Sequence, residues 1–173
     1  MSVTEVFYDL SQALLHPVLW CIYISFIYAI YELGRFGAKK VMRRKYVENF
    51  QGIKNGKALE NLAGYPIIAF AFLDAKASLN DIEVYAFKRL EVVKMVTRIT
   101  PMLGLIATLI PMGPALMALT ENNVVSMSEH LRTAFTAVIL ALSAASLTFW
   151  VATVKKRWYA EEMAAVEKQF IDK

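Results

Sequence analysis

Three stretches of the chain hold no Asp, Glu, Lys or Arg: residues 10–31, 99–120 and 133–154. Each is 22 residues long, which as an α-helix rises about 33 Å. About 20 apolar residues cross the hydrocarbon core of a bilayer. The pattern therefore predicts an all-α membrane protein with three transmembrane helices. The polar segments keep a helical rhythm of their own. Ile82, Tyr85, Leu90, Val93 and Val96 form an apolar stripe before the second stretch, and Tyr159, Met163, Val166 and Phe170 form another after the third. The second and third helices are thus expected to run beyond the membrane, over 81–119 and on to about Phe170. Asn80 with Glu83, and Ser126 with Glu129, have capping-box spacing and are the expected helix starts. The first helix is expected to reach about Phe50 and stop at the turn region 52–56. Residues 63–73 are apolar but too few to cross a bilayer, so they are expected to form the core of a small cytoplasmic helical domain.

Composition strengthens this reading. Of 173 residues 57% are hydrophobic and 20% charged, more apolar side chain than a soluble domain of this size can bury. The net charge of +4 is explained by placement, not by nucleic acid. Residues 34–98 hold 13 of the Lys and Arg, the tail from Lys155 holds 5, and the other side holds Arg132 alone. The positive-inside rule makes the basic side cytoplasmic. This orders the chain as an external tail 1–9, transmembrane helix 10–33, cytoplasmic domain 34–98, transmembrane helix 99–120, external loop 121–132, transmembrane helix 133–154 and cytoplasmic C-terminal helix 155–173. The expected location is the inner membrane, with the N-terminus outside and the first span a retained anchor without basic n-region or cleavage site.

Several chemistries drop out. Cys21 is the sole cysteine, and His16 and His130 have no metal-ligand spacing. No nucleotide-binding, zinc-protease or serine-hydrolase motif is present. No enzyme activity, metal or cofactor is expected.

The run RITPMLGLIATLIPMG at 98–113 resembles the second-span motif of the MotA/TolQ/ExbB proton channel family, approximately A-P-x-L-G-L-x-G-T-x-x-G. Pro101, Gly104, Leu105 and Thr108 match it, and Ala107 replaces a glycine. The run AFTAVILAL at 134–142 resembles the third-span pattern A-L-x-A-T-x-x-G-L, with Ala141 in place of glycine. The resemblance implies the pore-forming or stator subunit of an ion-gradient-driven motor: a homo-oligomer, five subunits around two copies of a single-span ExbD/TolR/MotB-like partner. A non-conducting oligomeric membrane scaffold of the same architecture is the alternative.

The three charge-free stretches hold no ionisable carboxylate, Lys or Arg, so any ion-carrying acid is expected to come from the partner. Thr108 lies mid-span and either lines an ion pathway or bonds its own helix. Val138 stands at the family's third-span polar position, and Thr136 and Ser143 share another face of that helix. Thr133 stands where some members carry an acid, so proton and sodium both remain open. Pro101, Pro111 and Pro114 are candidate hinges or fixed kinks. Gly104 and the ladder Ala137, Ala141 and Ala145 permit close helix approach, within the chain or between subunits. Trp150, Trp158 and Tyr159 read as interface anchors, His16 as a boundary histidine, and the basic run 39–45 as a topology signal in contact with membrane lipid.

Overall fold

The computed structural model describes the backbone of residues 3–47, 64–73 and 78–171. Among these residues the regular structure is four helices: α1 (Val3–Lys45), α2 (Pro66–Leu73), α3 (Leu79–Thr120) and α4 (Val124–Ile171). Among the described residues there is no strand. The three charge-free stretches lie inside α1, α3 and α4, each long and apolar enough to cross a membrane. With 42 residues, α3 is about 63 Å long, twice what a bilayer core requires. Trp20, Ile24, Ile27, Leu105, Leu109, Leu116, Phe135 and Ile139 expose large apolar side chains. Water would reject such a surface, and lipid accepts it.

Both long helices begin earlier than their capping-box spacing suggested, α3 by two residues and α4 by three. At α3 the cap is Ser78: its hydroxyl oxygen accepts from the Asp81 N–H at 3.3 Å, and the Asp81 carboxylate accepts from the Ser78 N–H at 3.0 Å. That is a reciprocal box two residues before Asn80 and Glu83. At α4 the cap is Asn123, whose side-chain oxygen accepts from the Ser126 N–H at 3.0 Å. Ser126 is therefore capped, not capping. The connection from α3 is tight because Asn122 takes a left-handed conformation, φ 55°. The Asn123 N–H then reaches the Ala118 carbonyl at 2.9 Å and the Asn122 N–H that of Leu119 at 3.1 Å, the pairing of a Schellman motif with Asn in glycine's usual place.

The chain divides into two compact units. The first combines Met1–Tyr31 with Met95–Thr148, the second Glu32–Lys94 with Phe149–Lys173. In the second, Tyr65, Ile67, Ile68 and Ala71 of the α2 region pack with Ile82, Ala86 and Leu90 of α3 and Tyr159 and Val166 of α4. The apolar segment too short to cross a bilayer thus fills a helical core. Residues 48–63, including the expected stop at 52–56, lie outside the described residues.

Candidate functional site

The buried positions of the first unit are small. Ala107, Ala137 and Ala141 form a core with Ile22, flanked by Val18, Leu19, Leu103 and Leu140. Small side chains let helix backbones come close, so dispersion contacts accumulate where lipid offers no hydrophobic drive. Gly104 marks the tightest point: a methyl group there would lie 2.8 Å from the Cβ of Ala141. Ala145 is buried as well. Gly104, Ala137 and Ala141 are therefore engaged in packing within one chain. Pro101, Pro111 and Pro114 lie inside the continuous helix α3.

The polar candidates divide. Thr133 and Thr136 line an open groove of about 900 Å³ between α1 and α4, with His16, Trp20, Tyr23, Glu129 and Arg132. Thr108 and Ser143 are not among the lining residues, so the groove unites two of the four. Thr108 is half-buried on α3 and donates its hydroxyl proton to the Leu105 carbonyl at 2.7 Å. Thr133 donates to Glu129 at 3.1 Å and Thr136 to Arg132 at 2.8 Å. A hydroxyl that spends its proton this way keeps oxygen lone pairs as acceptors. Such groups can receive a hydrogen bond from water or a protonated carboxyl without breaking their own.

Residues 71–168, more than half of the chain, match the MotA/TolQ/ExbB proton channel family. The chain belongs to that family. No curated protein and no solved structure gives a significant match. The segment shared with the MotA/TolQ/ExbB family contains α3 and the part of α4 that bears Thr108, Thr133, Thr136 and the Gly104–Ala141 contact. With three helices able to span a bilayer, this member is a multi-pass membrane protein.

Sequence reasoning missed four groups. Thr100 and Thr148 are the fully buried hydroxyls of the first unit, and each donates to a carbonyl one turn back, Val96 and Ala144. Among its described residues the second unit holds two buried ion pairs, Lys155 with Glu32 and Arg43 with Glu162. Glu162 left a trace in the sequence: it lies on the apolar stripe of Tyr159 and Val166, where an unpaired charge would be costly. Its carboxylate also accepts the Ile67 N–H at 2.9 Å, so it caps α2 from a distant helix. Arg43 in turn donates to the Gly64 carbonyl at 3.3 Å, and its guanidinium lies 4.3 Å from the Tyr65 ring and 4.8 Å from the Trp158 ring. Gly64, at φ 104° with the Arg43 backbone nitrogen 3.3 Å from an added Cβ, would be strained by any other residue. Burial pushes the Glu162 carboxyl up, against the opposing pull of Arg43 and the α2 N–H groups. Burial, then the nearby Lys155, Arg35 and Arg89 charges, lower Lys39 to about 8.

Proposed function

We propose that the chain is the pore-forming, stator-like subunit of an ion-gradient-driven membrane motor. It would assemble as a homo-oligomer of five around a single-span partner that carries the titrating Asp. Members of the family generally form oligomers and work with ExbD/TolR/MotB-like partners. The observation that carries the reading is that the stretches 10–31, 99–120 and 133–154 contain no carboxylate, Lys or Arg, and that Glu32, at the inner end of the first, is tied up in an ion pair with Lys155. A channel family member without an ion-carrying acid of its own needs one from outside. Thr108, Thr133, Thr136 and Ser143 supply hydroxyl acceptors along the route, with Pro101, Pro111 and Pro114 allowing α3 to flex. The basic asymmetry supports an inner-membrane orientation with the N-terminus outside.

One observation favours the rival reading of a non-conducting scaffold. Val138 occupies the position where the family pattern has threonine, and Thr108, Thr133 and Thr136 each bond a carbonyl of their own helix. Proteoliposomes holding the chain with its partner decide between the two. Under an imposed pH or sodium gradient the complex is expected to pass ions, while the chain alone and the complex with the partner Asp→Asn pass background only. Thr108→Val should assemble normally and lower the flux about 10-fold or more, the effect of one lost hydrogen bond to a charged group. Equal flux from the intact complex and the Asp→Asn complex establishes the scaffold.

A further inference from the structure

The groove between α1 and α4 changes character along its length. At one end it presents His16, Glu129 and Arg132, then Thr133 and Thr136. Its floor is Leu19, Ile22, Ala137 and Leu140, and Trp20 and Tyr23 complete the wall. From Glu129 to Leu140 the groove follows twelve residues of α4, a rise of about 16 Å. Half of a hydrocarbon core of about 30 Å is about 15 Å. The part within the charge-free stretch, Thr133 to Leu140, rises about 10 Å, so the groove runs from the polar boundary into one leaflet. Its volume of about 900 Å³ is at the upper end of ligand clefts.

The polar end is charge-balanced. Arg132 and Glu129 are both exposed, one turn apart on α4, and among the described residues neither joins an ion pair. Both also line a second hollow of about 320 Å³ with Val124, Val125 and Ser128, so the polar end opens outward. A guanidinium suits a phosphate, with parallel N–H donors. A carboxylate one turn away suits an ammonium that can donate hydrogen bonds.

We propose that this groove is a binding site for one zwitterionic glycerophospholipid with a primary-amine headgroup. Its phosphate meets Arg132 and its ammonium Glu129, His16 donates to a phosphate or ester oxygen, and an acyl chain lies along Leu19, Ile22 and Leu140. A choline headgroup has no N–H to give Glu129, and an anionic headgroup leaves that carboxylate opposed. The proposal rests on the membrane character of the chain and not on ion conduction.

Native mass spectrometry of the full-length oligomer, released from detergent with added phosphatidylethanolamine or phosphatidylcholine of equal chain length, tests it. One phosphatidylethanolamine per subunit is expected to persist after bulk lipid is stripped, in preference to phosphatidylcholine. Arg132→Gln should lower occupancy by both lipids about 10-fold, the loss of a charge-assisted contact. Glu129→Gln should erase the preference for the primary amine while leaving phosphate-dependent binding. Thr136→Trp, which fills an exposed groove position without touching either charge, should abolish retention. Equal retention by the wild type, Arg132→Gln and Thr136→Trp overturns the proposal. So does a 133-to-20 cysteine pair that cross-links between subunits with no lipid retained, which would give the groove to a neighbouring copy.

Discussion

At the scale of single residues, two positions carry clear consequences. Gly104 lies where any side chain meets Ala141 at 2.8 Å, and Ala141 is fully buried with nowhere to move. Gly104→Ala is expected to destabilise the chain by about 1–3 kcal/mol, the usual cost of overpacking. The Gly104→Ala, Ala141→Gly pair should recover part of that, a coupling that thermal unfolding in mild detergent would measure. Lys39 is the second. Its native value is about 8 against an ordinary 10.5, so the unfolded chain binds more protons between those limits, and stability rises with pH across them. Below pH 8 the full penalty of holding Lys39 charged is present. Lys39→Met should therefore stabilise the protein at neutral pH, with the gain shrinking from pH 8 upward. Acylation of Lys39 followed against pH should show a midpoint near 8.

At the scale of elements, the eight residues of α2 are too few to form a helix unaided. Its N-terminus is held by Glu162 of α4 through the Ile67 N–H, with Arg43 of α1 on the other carboxylate oxygen. Glu162→Gln retains an acceptor for α2 but strands the buried Arg43 charge, so a loss of about 3–5 kcal/mol is expected. Combining it with Arg43→Met removes the orphaned charge and should restore part of the stability, read from the same unfolding midpoint. The helices themselves were largely legible, because 22 charge-free residues and a 3.6-residue stripe admit few alternatives. Their starts were not. Ser78 with Asp81 competes with Asn80 and Glu83 at similar spacing, and only the observed hydrogen bonds show which serves. At α4 the left-handed Asn122 places Asn123 as cap, a choice made by backbone geometry four residues before Ser126.

At the scale of the whole molecule, the distribution of basic residues predicts orientation, with 18 of 19 on one side of the spans. Asn122, exposed in the turn between α3 and α4, should lie outside, and Lys57 and the C-terminus inside. A cysteine at position 122, in a Cys21→Ser background, should react with an impermeant maleimide in intact cells. Reaction in inverted vesicles alone would reverse the topology. The candidate route was less legible than the architecture. Thr133 and Thr136 share a groove with His16 because α1 packs beside α4, and no spacing within either segment reports that neighbour.

The sequence by itself determined what depends on local composition and period: three apolar spans, the helical stripes on their polar continuations, the charge asymmetry, and a motif centred on Pro101, Gly104 and Thr108. The tertiary structure decided what depends on residues distant in the chain. It placed Gly104 against Ala141, paired Glu32 with Lys155 across 123 positions and Arg43 with Glu162 across 119, and opened the groove between α1 and α4. A charge-free span is recognised because the bilayer tests each segment against the same solvent. A buried pair is recognised only when both members are in place, because each charge alone would be expelled to water.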